Sequence, residues 1–222
     1  YELLQKEGIR TARCWTSAEA FFAAKQAGEV SYPVFVKPQC GSASLHINLA
    51  ENDETVRTLF DNEKDLMVQE LMTGQEYGCD LYIDLISGKC TSLFLKKKIR
   101  MRAGETDKSV SVKDEKLFVK LAAFAEKCGF RGMIDMDLFH DEHGQENESG
   151  WIPEGEWYLS EVNPRFGGGY PHAYACGVDF PTQMLANLRG EENPVTIGAY
   201  ESGVVMMKYN EIAIRKEGEL AE

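Results

Sequence analysis

Trp157-Tyr158-Leu159-Ser160-Glu161-Val162, continued by Asn163-Pro164-Arg165, is the stretch on which the reading of this chain turns. The first six residues have the composition of a buried strand, and Pro164 closes it. Residues two apart in a strand share a face, so Glu161 and Asn163 present two hard oxygen ligands side by side. Arg165 follows with a cationic fork suited to phosphate. Moving outward, Gly132-Met133-Ile134-Asp135-Met136-Asp137-Leu138-Phe139 is a second apolar strand with an acidic pair at the same spacing. Oxygen ligands converging from two neighbouring strands suit magnesium shared with nucleotide phosphates. The outline is that of a phosphoryl-transfer site.

Carboxylates inside apolar strands are expensive to bury without a partner. One of them could be paired with a core arginine. Three carboxylates and an amide at matched spacing point instead to a metal. Because each pair sits two residues apart, one member of each suffices as a direct ligand, and Asp137 and Glu161 are the candidates.

Farther from the centre the signals need one another. Lys37 ends the apolar run Tyr32–Lys37 and precedes the small-residue loop Gln39-Cys40-Gly41-Ser42-Ala43-Ser44. A lysine there can reach phosphates while backbone N–H groups of the loop fold over them. The loop lacks the spacing of a P-loop. Glu70 and Glu76 flank the Thr73-Gly74 turn, a hinge able to hold adenine by main-chain groups and ribose by a carboxylate. Exposed acids at a strand end are the plain alternative. Gly167-Gly168-Gly169 permits close approach of a substrate to main chain, or only a tight strand-to-helix connection. His140-Asp141-Glu142-His143 opens a polar segment and reads as solvated loop, and His172 alone supports no more than a substrate contact. The basic run Lys96-Lys97-Lys98, Arg100, Arg102 is either a cationic patch or a solvated strand face.

With 222 residues, 43% hydrophobic and 27% charged, the chain has the size and composition of a soluble globular protein with one α+β core or two small subdomains. The net charge of −12 argues against general binding to nucleic acid or an anionic membrane. No apolar stretch approaches the roughly 20 residues that span a bilayer. Six cysteines lie at 14, 40, 79, 90, 128 and 176 without a C-x-x-C pair, as expected of reduced thiols in a cytoplasmic protein. No secretory signal is visible. The chain begins at Tyr1 rather than Met, as a piece of a longer protein would.

Along the chain the pattern predicts helices over 2–7, 17–27, 53–60, 113–128 and 179–188. It predicts strands over 32–37, 45–49, 66–72, 76–86, 90–102, 132–139, 157–162 and 204–209. Ser87-Gly88-Lys89 is a hairpin-type turn. Strands dominate and hairpins imply antiparallel pairing, whereas a doubly wound sheet needs steadier alternation of strand and helix. The fold class is α+β.

Taken in order, Phe35-Val36-Lys37-Pro38, Val68-Gln69-Glu70-Leu71-Met72 with Gly74-Gln75-Glu76, Asp135-Met136-Asp137 and Glu161-Val162-Asn163-Pro164-Arg165 resemble the ATP-grasp family, particularly its carbamoyl-phosphate-synthase-like branch. The resemblance implies two α+β subdomains with largely antiparallel sheets clasping ATP. It divides the chain into a helical linker (1–29), a lid (30–72) and a C-terminal subdomain with the metal site (73–222). It gives Lys37, Gly41 and Ser42 to the phosphates, Gln69, Glu70 and Met72 to the adenine hinge, and Glu76 to the ribose. It gives Asp137, Glu161 and Asn163 to magnesium, or manganese in its place, and sets Arg165 near the transferred phosphate. One of Lys98, Arg100 and Arg102 would turn inward. The implied chemistry is activation of a small-molecule carboxylate to an acyl-phosphate, then attack by an amine or related nucleophile. Such enzymes carry a further N-terminal domain, which this chain would need as a partner. An inactive or regulatory nucleotide-binding domain is the alternative, and a metal-dependent hydrolase a third that leaves Lys37 and the hinge unexplained.

Overall fold

Side-chain caps fix where four of the helices begin. Ser17 accepts a hydrogen bond from the Ala20 amide, Asn52 from Thr55, Asp114 from Leu117 and Asp179 from Thr182. The computed structural model describes residues 2–40, 46–102, 104–140, 156–209 and 214. In chain order the first elements are α1 (Glu2–Lys6), β1 (Cys14–Trp15), α2 (Ala18–Gln26), β2 (Val34–Pro38), β3 (Asn48–Ala50), α3 (Asp53–Asn62) and β4 (Leu66–Glu70). They are followed by β5 (Gln75–Ile83), β6 (Cys90–Arg102), β7 (Glu105–Val112), α4 (Glu115–Lys127), β8 (Gly132–His140) and β9 (Trp157–Asn163). The last are α5 (Tyr170–Ala175), α6 (Phe180–Leu188) and β10 (Val205–Met207).

The strands make two antiparallel sheets, a four-stranded one in the order β1-β4-β2-β3 and a six-stranded one in the order β10-β7-β6-β5-β8-β9. With the interspersed helices this is the expected α+β class, built on two antiparallel sheets. Alternation along β2 and β4 sends Val34, Val36, Leu66 and Val68 into a small core with Phe21, Ala24 and Val56 of the two helices. The larger core gathers Leu81, Leu93, Leu95, Ile134, Met136 and Leu138 with Leu117, Leu121 and Phe124 of α4. β4 ends at Glu70 and β5 starts at Gln75, so the short hinge between them joins the two sheets.

The segment 1–29, expected as a linker, does not stand apart. Leu4 and Ile9 join the larger core and Phe21 and Ala24 the smaller one. β1 pairs with β4, and the Arg10 carbonyl accepts from the Leu159 amide at 2.9 Å, so backbone hydrogen bonding divides the segment between both bodies. The pattern also missed β1, β7 and α5. The strand expected over 76–86 stops at Ile83, where Asp84 begins the turn.

Candidate active site

Cross-strand partners share a face, so the register gathers the polar side chains of the six-stranded sheet. Gly78 on β5 lies between Lys96 on β6 and Asp137 on β8, and Asp80 between Phe94 and Asp135. Asp137 in turn faces Glu161 on β9, and Asp135 faces Asn163. Lys96 and Lys98 face Ser111 and Ser109 on β7. α5 and α6 cover one end of this face, with Phe94 against His172 and Tyr82 against Phe180. Charge remains at the other end.

Strict alternation would put Leu159 on the same face as Glu161. The register shifts between Asp137 and Leu138, with Ser160 the extra residue. Leu159 therefore pairs with Leu138 while Glu161 pairs with Asp137. A bulge of this kind re-aims side chains. Here it gives an apolar segment and an acidic one opposite faces.

Lys98 is the inward-turning cation among the three candidates. Its Nζ lies 2.5 Å from Glu76 Oε1 and 2.6 Å from Asp137 Oδ1. Burial alone would lower its pKa, but the two carboxylates outweigh that and hold it above the ordinary lysine value. Arg100 is 61% exposed and lies over buried Asp107, and Arg102 is exposed. Glu76, assigned to ribose from sequence, thus stands in an ion pair beside Asp137.

Deeper on the same face Lys96 pairs with Asp80, both almost wholly buried. Burial pushes the Asp80 carboxyl above its usual range against the pull of Lys96. Asp135 is raised to about 6, first by burial and then by the charge of Asp80. Its Oδ2 accepts from Arg165 Nη1 at 3.2 Å. His172 Nε2 donates to the Val204 carbonyl at 3.1 Å, so Nδ1 accepts from the Ser109 hydroxyl at 2.8 Å. Burial and then Lys96 pull that imidazole down to about 4, so it is neutral.

The three glycines after Arg165 let the chain close over these charges. A Cβ would meet Asp135 Oδ1 at 2.5 Å from Gly167, Glu105 Cδ at 2.9 Å from Gly168, and Lys96 Cε at 2.7 Å from Gly169.

On the small sheet Lys37 pairs with Met67 and Gln69 with Phe35 and Cys14, so Lys37 and Gln69 share the face opposite Val36 and Val68. Glu70 turns the other way. Its carboxylate takes Arg13 in a fork at 3.0 and 3.2 Å, and its amide donates to the Arg13 carbonyl. The side chain is neither exposed nor available to a ligand, which leaves main chain for the hinge at Glu70 and Met72. Gly41 and Ser42 lie outside the described residues, as does His143. His140 ends β8 and packs on Trp157 and Tyr77.

Asp137, Glu161 and Asn163 are hard oxygen donors on one open face, which fits a divalent cation whose other ligands are phosphate oxygens. Among the described residues no cluster of three or more His, Cys, Asp or Glu could hold a metal ion by itself. The sequence missed Lys96 and Asp80. The argument applied to Asp135 would have found Asp80, an acid inside the apolar run of β5.

Residues 62–212 match the family model described as "ATP-grasp in the biosynthetic pathway with Ter operon". No curated protein matches the chain. Among solved structures, the biotin carboxylase domain of Hydrogenobacter thermophilus 2-oxoglutarate carboxylase, in complex with MgADP, ADP and bicarbonate, superposes with a TM-score of 0.70 at 16% identity, covering 92% of this chain and 47% of that one. N5-carboxyaminoimidazole synthetase from Staphylococcus aureus complexed with ADP gives 0.66 at 15% identity, covering 87% and 51%. Biotin carboxylase from Campylobacter jejuni in its β,γ-ATP complex gives 0.62 at 18% identity, covering 87% and 45%. The chain spans about half the length of these structures. No described helix is long and apolar enough to cross a membrane.

Proposed function

The chain belongs to the ATP-grasp family, and on that premise we propose that it is the nucleotide-binding module of an ATP-dependent carboxylate ligase. The observation that carries this reading is Asp137 facing Glu161 across β8 and β9, with Lys98 on Asp137 and Arg165 at the rim. Two carboxylates, an amide and two cations on one open face suit a triphosphate and its metal better than they suit a structural core. The motif from Glu161 to Arg165 supports the carbamoyl-phosphate-synthase-like branch.

Asp137, Glu161 and Asn163 would hold magnesium, or manganese, which when bound neutralises phosphate charge. Lys98 would exchange its carboxylate contacts for phosphate oxygens. Main chain at Glu70 to Met72 and the face carrying Lys37 and Gln69 would take the rest of the nucleotide. A substrate carboxylate oxygen would attack the terminal phosphorus as ADP leaves, and a nucleophile would then displace phosphate from the acyl carbon. Positioning and charge neutralisation carry such a transfer. No Ser–His or Cys–His nucleophile is required.

Calorimetric titration of ADP, with and without magnesium, tests this. Magnesium-dependent binding that Glu161→Ala abolishes and GDP does not reproduce is the expected result. Saturating ADP with no heat and no protection against unfolding would overturn it.

A further inference from the structure

Asp135 and Asp137 lie two residues apart on one face, yet their surroundings separate them. Asp137 faces Glu161, takes Lys98 and keeps 25% of its side chain exposed. Asp135 lies between Asp80 and Asn163 and keeps 12%. The main chain of Gly167 closes on it so tightly that a Cβ there would stand 2.5 Å from Oδ1 and 2.6 Å from Cγ. That loop begins at Arg165, whose Nη1 donates both to Asp135 Oδ2 at 3.2 Å and to the Phe166 carbonyl at 3.0 Å. Among the described residues Asp135 is the one carboxylate with which Arg165 forms an ion pair. Nε and Nη2 of the guanidinium stay available, and the side chain is 58% exposed.

We propose that Asp135 is a positioning residue and not a metal ligand: with Gly167 packed on it, it anchors one edge of the Arg165 guanidinium so that the other edge is presented to the terminal phosphoryl group. The inference rests on the reading of Arg165 as the cation nearest the transferred phosphate. A flexible arginine free in solvent would lose side-chain freedom on meeting a phosphate. An arginine already anchored has lost it before the ligand arrives. The glycine at 167 is part of the device, because no residue with a Cβ lets the loop cover the carboxylate.

The test compares affinities for magnesium-ADP and for the magnesium complex of the β,γ-imido analogue of ATP. It uses the full chain and the variants Arg165→Ala, Asp135→Asn and both together, with manganese binding followed by electron paramagnetic resonance. Asp135→Asn keeps the volume of the side chain, and circular dichroism checks its fold. The expected result is that each single variant loses about tenfold in preference for the analogue over ADP, the scale of a charge-assisted contact. The double variant loses no more than either single one. ADP affinity and manganese binding stay within about twofold in Asp135→Asn, by the same energetic scale. Gly167→Ala, which displaces the carboxylate without removing it, shows the same loss. Equal weakening of both nucleotides in Asp135→Asn, loss of manganese, or losses that add in the double variant would overturn the proposal while leaving the nucleotide site in place. If Arg165→Ala leaves the preference unchanged, the reading of Arg165 fails and the inference fails with it.

Discussion

Asp137 on β8 and Glu161 on β9 are direct cross-strand partners at the point where Ser160 bulges from the ladder. Neighbouring carboxylates repel, and here Lys98 takes up part of that cost through Asp137. Asp137→Asn and Glu161→Gln should each weaken magnesium-dependent ADP binding by at least about tenfold, consistent with ~1.5–3 kcal/mol for a contact to a charged group. Binding measured in chelator should change little. Equal losses with and without the metal would place these residues outside the metal site.

Lys98 and a divalent cation compete for the Asp137 carboxylate. Lys98→Met should therefore raise affinity for bare manganese, by about tenfold if a contact of ~1.5 kcal/mol is released. The same variant should weaken ATP, because a phosphate-side cation is gone. Titrating manganese alone and then nucleotide separates the two effects. Movement of both affinities in one direction would contradict the exchange.

Much of this was legible because the chemistry needs acids where strands need apolar residues. Asp135, Asp137, Glu161 and Asn163 stand out for that reason, and their strand register agrees with the expected pairing. The missed strand β7 shows the limit. Ser109, Ser111 and Asp107 are buried, but they face the charged side of the sheet, so Glu105–Val112 lacks a hydrophobic alternation. For the same cause the run around Lys96 reads as either a cationic patch or a solvated strand face, and the resemblance alone turns one of Lys98, Arg100 and Arg102 inward. Only the hairpin register, which sets Lys96 opposite Gly78 and beside Asp80, shows that a strand this basic can be interior. The bulge at Ser160 leaves no mark in the sequence.

The Lys96–Asp80 pair is buried on both sides, so breaking it should cost far more than an exposed pair would. Lys96→Met leaves a carboxylate in the interior and should destabilise by ~3–5 kcal/mol. Adding Asp80→Leu should recover a large part of that. Denaturant unfolding of the parent, the single variant and the double variant decides it. A single variant as stable as the parent would show that water reaches Asp80.

Two groups near Lys96 titrate in opposite senses. Asp135, raised to about 6 from an unfolded value of about 3.9, contributes stability that is complete below about pH 4 and is lost as pH rises through 6. His172, lowered to about 4 from about 6.5, contributes stability present above pH 6.5 and lost as pH falls through 4. Each shift is worth ~3 kcal/mol at about 1.4 kcal/mol per unit, so between pH 6.5 and 4 they offset. His172→Gln should make the protein gain stability on acidification, and Asp135→Asn should make it lose stability. Unfolding midpoints at half-unit steps of pH would show the opposite slopes; parallel slopes would refute the offset.

The glycine loop offers a ranking. A methyl at Gly167 meets the buried Asp135 carboxylate and one at Gly169 meets Lys96 Cε, which is pinned by Asp80 and Gly78. Neither neighbour can swing out into solvent, so each must shift within a closed interior. At Gly168 the obstacle is Glu105, whose side chain is 62% exposed and paired with Lys208. That end of a flexible chain can swing into solvent. Gly167→Ala and Gly169→Ala should therefore each cost ~1–3 kcal/mol of stability, the range for overpacking a closed interior, and Gly168→Ala much less. Thermal unfolding of the three single variants reads the order directly. If Gly168→Ala were the most damaging, the loop would have to close over the sheet in some way other than by contact with Asp135 and Lys96.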